Sequence, residues 1–187
     1  TRLDGNLTPG HTLTTTLAVF PRRIDAANLN TFNPVGVAPD SRLFGYNVAV
    51  VDRLALSSAS FLESNGSVSF YHTRVLGDGQ QDMELTTEGN RGNFFNTQDR
   101  RTVVYQWTES LQFLRHAAGE HLFKAGFDLM NAAYTGTSVS RPVLVRRADG
   151  TLSQRFDFGG LTAQRVHGLD VAAFVQDRWR IAPRLLL

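Results

Sequence analysis

The chain has no cysteine, so it can build no disulfide framework, no cysteine-held zinc site and no thiol nucleophile. Lysine is nearly missing too: of 19 basic side chains, only Lys124 is a lysine. The arginines are scattered among 17 acids, adjacent only at Arg22-Arg23, Arg100-Arg101 and Arg146-Arg147, and the net charge is +2. No stripe of one sign results, and nucleic acid is not expected as a partner. No apolar run nears the ~18 residues of a membrane-crossing helix, and helical periodicity is scarce. This excludes a helical membrane protein. A transmembrane β-barrel stays open, because alternating lipid-facing and polar residues keep average hydropathy low; here the mean hydropathy is −0.20. The opening segment TRLDGNLTPG lacks the apolar core of a signal peptide. At 42% hydrophobic and 10% aromatic residues, the chain is too apolar for a disordered one.

What is present is alternation, broken by Gly, Asn, Asp and Thr. Leu13, Thr15, Leu17 and Val19 form one face of a first strand, and Phe44, Tyr46, Val48 and Val50 of a second. Leu62, Val68 and Phe70 mark a third, opposite Glu63, Asn65, Ser67 and Ser69. Val103, Tyr105, Trp107, Leu111 and Phe113 mark a fourth, and Phe123, Ala125, Phe127 and Leu129 a fifth, opposite Lys124, Gly126 and Asp128. The sixth spans about Gly168 to Arg180. Its faces are ambiguous, since Val171, Ala173 and Val175 compete with Ala172 and Phe174.

The links alternate strictly between long and short. Long ones run over Pro21–Arg42, Leu76–Arg100 and Thr135–His167; short ones lie at Leu56–Ser60, Arg115–Glu120 and Ile181–Arg184. In an antiparallel up-and-down meander, all long links then lie at one end. Outer-membrane barrels show this asymmetry, and so much loop is foreign to a compact soluble domain. The segment Gly77–Asn96 reads as irregular loop. Pro142–Phe158 reads as a hairpin turning at Asp149-Gly150, a ribbon rising above the membrane.

Aromatics fit this orientation. Phe44, Tyr46, Phe70, Tyr105, Trp107 and Tyr134 are expected near the long-link ends, and Phe113, Phe123 and Trp179 near the short-turn ends, as two interfacial girdles. Glu109 falls on the lipid-side face and counts against the assignment, unless a bulge or a position beyond the hydrocarbon excuses it. A soluble β-sandwich needs the same alternation and is the competing architecture.

Asp170–Leu187, DVAAFVQDRWRIAPRLLL, holds an amphipathic strand, a tight turn at Ala182-Pro183 and the start of a returning strand, so the chain is expected to be part of a larger protein. Val171–Leu185, VAAFVQDRWRIAPRL, resembles the barrel of TonB-dependent outer-membrane receptors, in particular the Oar-like type with a carboxypeptidase-regulatory-like domain before the plug. His121–Leu129 (HLFKAGFDL), Glu88–Asn96 (EGNRGNFFN) and Ser140-Arg-Pro-Val143 support it in the same order. The resemblance implies an all-β chain, residues 1–187 being a partial barrel domain: an arc of about six strands from a 22-stranded barrel, without plug, TonB box or final strand. It implies residence in the bacterial outer membrane, uptake of a large or scarce external ligand, and partnership with membrane lipid and, through other parts of the protein, the TonB complex. Adhesion or surface display by an outer-membrane barrel is the alternative, and a soluble binding module the third.

Catalytic signatures are missing: there is no nucleophile elbow, Walker loop or dinucleotide glycine fingerprint. No enzyme, cofactor or metal is expected. His116-Ala-Ala-Gly-Glu-His121 is read as a solvated turn, and His11, His72 and His167 as polar residues at strand ends. Glu63, Asn65, Lys124 and Asp128 are the candidates for a lumen lining that contacts a plug or tunes passage. Arg91, Asn93, Phe94 and Phe95 are the candidates for contact with an external ligand, against a background of loop self-packing.

Overall fold

The computed structural model describes residues 1–182 and the backbone of 185–186. Among the described residues twelve strands follow in order: β1 Arg2–Thr8, β2 His11–Val19, β3 Arg22–Ile24, β4 Asp40–Ser57, β5 Ser60–Leu76 and β6 Met83–Leu85, then β7 Asn96–His116, β8 Glu120–Ser140, β9 Val143–Arg146, β10 Leu152–Phe156, β11 Ala163–Ala182 and β12 Leu185–Leu186. Among the described residues there is no helix.

One nine-stranded sheet carries the order β1-β2-β4-β5-β7-β8-β11-β12, with β3 pairing the far end of β4. Every pairing in it is antiparallel. All six expected strands are present, longer than the alternation alone marked: β7 and β8 reach 21 residues each. The sequence reading missed β1, which folds back on β2 through Pro9-Gly10, and the short β3. The turn at Ala182-Pro183 lies partly outside the described residues.

The short turns are tight. Ala118 and Gly119 close β7–β8 with φ of 53° and 126°. A side chain at Gly119 would meet the backbone oxygen of Arg180 at 2.6 Å, so only glycine lets β11 pass this close.

The long links assemble a second, three-stranded sheet of order β10-β9-β6. The hairpin at Asp149-Gly150 forms as expected, with Gly150 at φ 83°. It is not a free ribbon, because β9 also pairs in parallel with β6. This overturns the expectation that Gly77–Asn96 is wholly irregular. Three residues are too few to show a period, and the partner of Met83 is Val143, 60 positions on.

Among the described residues, the buried apolar side chains sit here, not in the large sheet. Val37, Met83 and Val143, one from each long link, form a cluster on which Leu85 and Phe95 pack. The large sheet is a single layer: no second sheet covers either of its faces among the described residues. A β-sandwich would bury one face of every strand, and that architecture is not the one found.

Candidate functional site

The register sorts each long strand into two faces, because successive side chains alternate. One row runs Leu17, Val48, Val68, Tyr105, Asn131, Leu169, and the next Thr15, Val50, Gly66, Trp107, Leu129, Val171. This is the apolar face. It resolves the ambiguity of the last strand: Val171, Ala173 and Val175 pair with Leu129, Phe127 and Ala125, so they are apolar-face residues, while Ala172 and Phe174 lie on the other side. Val171 and Val175 are 69% and 82% exposed, so the chain itself leaves this face uncovered.

The apolar band is not level with the rows. On β4 it spans Phe44–Val50, and on β11 it spans Leu169–Val175, although Val50 is level with Val171. Its centre therefore descends by about four residues, ~13 Å, across four strand spacings, ~19 Å. An inclination of about 35° follows, within the ~35–45° tilt of strands in a transmembrane barrel.

Aromatic rings rim the band. Tyr46 stacks on Phe70 with centroids 5.3 Å apart, and Phe44 meets Tyr46 edge-on at 6.5 Å. Towards the short turns, Phe113 stacks on Phe123 at 5.1 Å, Phe123 on His121 at 5.5 Å and His121 on Trp179 at 5.0 Å. His121 is thus no solvated turn residue. It bonds Asp177 at 2.7 Å and the Ala117 carbonyl at 3.1 Å. Three aromatics differ from expectation. Tyr134 belongs to the polar face, opposite Thr102 and Val166. Tyr105 and Trp107 lie mid-strand, because β7 starts as early as Asn96.

Glu109 does lie on the apolar face, between Ser64 and Phe127, and no bulge excuses it: the register through it is unbroken. Its oxygens are satisfied instead. Ser64 Oγ donates at 2.7 Å and Trp107 Nε1 at 3.1 Å, offsetting the penalty of a carboxylate on an apolar surface. Asp52, one strand beyond Ser64, is similarly held by His11 at 2.6 Å.

The opposite face is polar and carries all four lumen candidates. Asn65, Thr108, Asp128 and Ala172 form one row; Arg53, Glu63, Ser110, Gly126 and Phe174 form the next. Arg53 Nε donates to Glu63 at 2.6 Å. Asp128 accepts from Thr108 at 2.6 Å and Gln106 at 2.9 Å. The Lys124 ammonium lies 5.8 Å from the centre of the Phe174 ring. Glu63 and Asp128 thus belong to local networks, and Asn65 stands in the row of Asp128. Arg53, Gln106, Thr108 and Phe174 were missed; their alternation was legible, but their partners emerge only once the turns fix the register.

Among the loop candidates, three serve the loop core. The Asn93 side chain accepts from the Gln81 amide at 2.8 Å and donates to the Gly36 carbonyl at 3.3 Å. Phe94 tilts against Phe95 at 5.0 Å, and Phe95 stacks on Phe158 at 5.2 Å. Arg91 differs. Its backbone pairs with Glu84, while its guanidinium is exposed and reaches Glu88 at 3.2 Å. It borders a polar hollow of about 350 Å³ with Glu84, Glu88, Arg146, Arg147 and Asp149. Arg141, which was not singled out, ties the links together by donating to the Gly79 and Phe94 carbonyls, both at 2.9 Å.

No protein-family model matches the chain, and no curated protein matches it. Among solved structures, the outer membrane transporter YddB from Escherichia coli matches with a TM-score of 0.62 and 16% identity. The alignment covers 96% of this chain and 24% of that one, so the chain spans about a quarter of the transporter's length. In fold, the chain is an all-β antiparallel sheet similar to part of an outer-membrane transporter barrel.

Proposed function

We propose that this chain is an arc of a TonB-dependent receptor in a bacterial outer membrane, a transporter and not an enzyme. The observation that carries the proposal is the single-layer sheet with one apolar and one polar face, whose apolar band is inclined as barrel strands are. Lipid covers the apolar face, and the polar face lines a lumen. Other strands of the protein close the sheet, since open edges are not tolerated in hydrocarbon. The likeness to an outer membrane transporter supports the fold on which this rests. Glu63, Asn65, Lys124 and Asp128 then face a plug, and Arg91 is the loop candidate best placed for an external ligand. Uptake of a large or scarce ligand follows from a plugged lumen that opens only when energised.

Epistasis tests the transport reading. Deleting the gene should impair growth on one scarce nutrient, and the defect should vanish in a strain already lacking TonB. A defect of equal size in both strains contradicts energised uptake. Adhesion or surface display is the second reading, favoured by the loop cluster's own core of Val37, Met83 and Val143; loss of surface attachment with normal growth selects it.

A further inference from the structure

The apolar face carries a feature that barrel closure does not require. At its long-link end, Arg23, Arg42 and Arg74 stand directly opposite one another on β3, β4 and β5. Like charges facing each other across a ladder are destabilising, and local carboxylates offset them only in part. Asp99 alone serves three side chains: His72 at 2.9 Å, Arg74 at 3.5 Å and Arg101 at 3.7 Å. Asp40 lies 3.8 Å from Arg42, and Asp25 2.7 Å from Arg23. The Arg74 atom that faces Asp99 is its Nε, which is buried and makes no hydrogen bond. Arg165, level with Arg101 two strands on, makes no ion pair among the described residues. Four guanidiniums thus share three carboxylates and Arg165 pairs with none of them, while Arg23, Arg42 and Arg74 stand immediately above the Phe44–Tyr46–Phe70 rim.

Below that rim, on the same face, lies an apolar furrow of about 390 Å³ between Val48, Val68, Tyr105, Trp107 and Leu129. Its floor is Gly66, where an added Cβ would meet nothing within 4 Å. Arg101 and Trp107 are six residues apart on one strand, about 20 Å.

We propose that belt and furrow together hold a phosphate-bearing lipid of the outer leaflet. The guanidiniums take its phosphate oxygens in charge-assisted, fork-like hydrogen bonds, and one acyl chain lies in the furrow over Gly66. The inference rests on the barrel reading above. A soluble anion fits the belt but has nothing to place in the furrow, and an uncharged lipid leaves the belt unanswered.

The test uses the full-length protein in phosphatidylcholine nanodiscs, titrated with lipid A carrying its phosphates and with the dephosphorylated form. Removing the phosphates should weaken binding at least tenfold, and the R42Q/R74Q double variant should weaken binding of the phosphorylated form as much. Gly66→Leu, which the backbone has room for, should weaken both lipids at least threefold while keeping their ratio. Arg53→Gln, on the opposite face, should change neither. Binding by R42Q/R74Q within twofold of the wild type overturns the proposal, as does full displacement of lipid A by an equal concentration of inorganic phosphate. Protein that enters nanodiscs but prefers neither lipid sinks this inference alone; protein that cannot enter them sinks the barrel reading with it.

Discussion

The ring of Phe174 covers Gly126 on the neighbouring strand: a Cβ at position 126 would come within 2.9 Å of two ring carbons and run into the Glu109 carbonyl. Gly66, mid-sheet on β5, has nothing within 4 Å of the same added atom. The two glycines therefore predict opposite outcomes. Gly126→Val should cost about 1–3 kcal/mol by overpacking, whereas Gly66→Ala should be neutral or slightly stabilising. Urea unfolding of the full-length protein in bilayers measures both, and equal effects at the two sites would contradict this packing.

The loop cap should loosen as a unit. Arg141 donates to two carbonyls of the Leu76–Arg100 link, and its own amide bonds the Phe95 carbonyl at 2.8 Å. Arg141→Ala leaves the Gly79 and Phe94 oxygens without that partner, a loss of about 1–3 kcal/mol. Amide exchange should accelerate in β6, β9 and β10 and stay unchanged in the mid-strand residues of β7 and β8.

On the polar face, Arg53 and Glu63 are half-exposed, at 51% and 35%. A double-mutant cycle should return a coupling under about 1 kcal/mol despite the 2.6 Å contact. A coupling of several kcal/mol would mean that water does not reach this face, contrary to a wet lumen.

At the tip of the cap, the Asp149 carboxyl is held below the ordinary carboxylate range because the Thr151 hydroxyl and amide donate to it, at 2.7 and 2.9 Å. A depressed folded value stabilises the turn above the unfolded value of about 3.9, and that stabilisation is lost as pH falls through the lower folded value. Exchange at the Thr151 amide, taken relative to its intrinsic rate at each pH, should be flat from neutral pH down to the ordinary carboxylate range and rise as pH falls from there through the lower folded value. Asp149→Ala should raise it at every pH and remove the acid step.

Much of the fold was legible because a period of two survives in any strand with one greasy and one wet side. Val103–Phe113 and Phe123–Leu129 announced themselves in this way. Met83–Leu85 did not, since three residues carry no period and the partner strand is distant. Arg2–Thr8 also went unread, although Pro9-Gly10 is a turn signal, because its Leu3, Gly5 and Leu7 face is thin. The last strand shows the other limit. Ala172–Phe174 and Val171–Val175 are equally plausible faces until Leu129 pairs with Val171. The candidate site follows the same logic. Which residues share a face could be counted from the strands, but that Asp99 gathers His72, Arg74 and Arg101 depends on pairing between strands. Likewise, Asn93 and Phe95 looked like exposed loop residues because the cluster they support draws on three separate links.

Site-directed quenching along β11 puts the two-faced sheet to the most direct test, helped by the lack of any cysteine in this chain. Single cysteines at positions 171 to 176 of the full-length protein, carrying a fluorophore, would be read in bilayers of brominated lipid. The account predicts strong quenching at Val171, Ala173 and Val175 and weak quenching at Ala172, Phe174 and Gln176. Uniform quenching, or the reverse alternation, would contradict it.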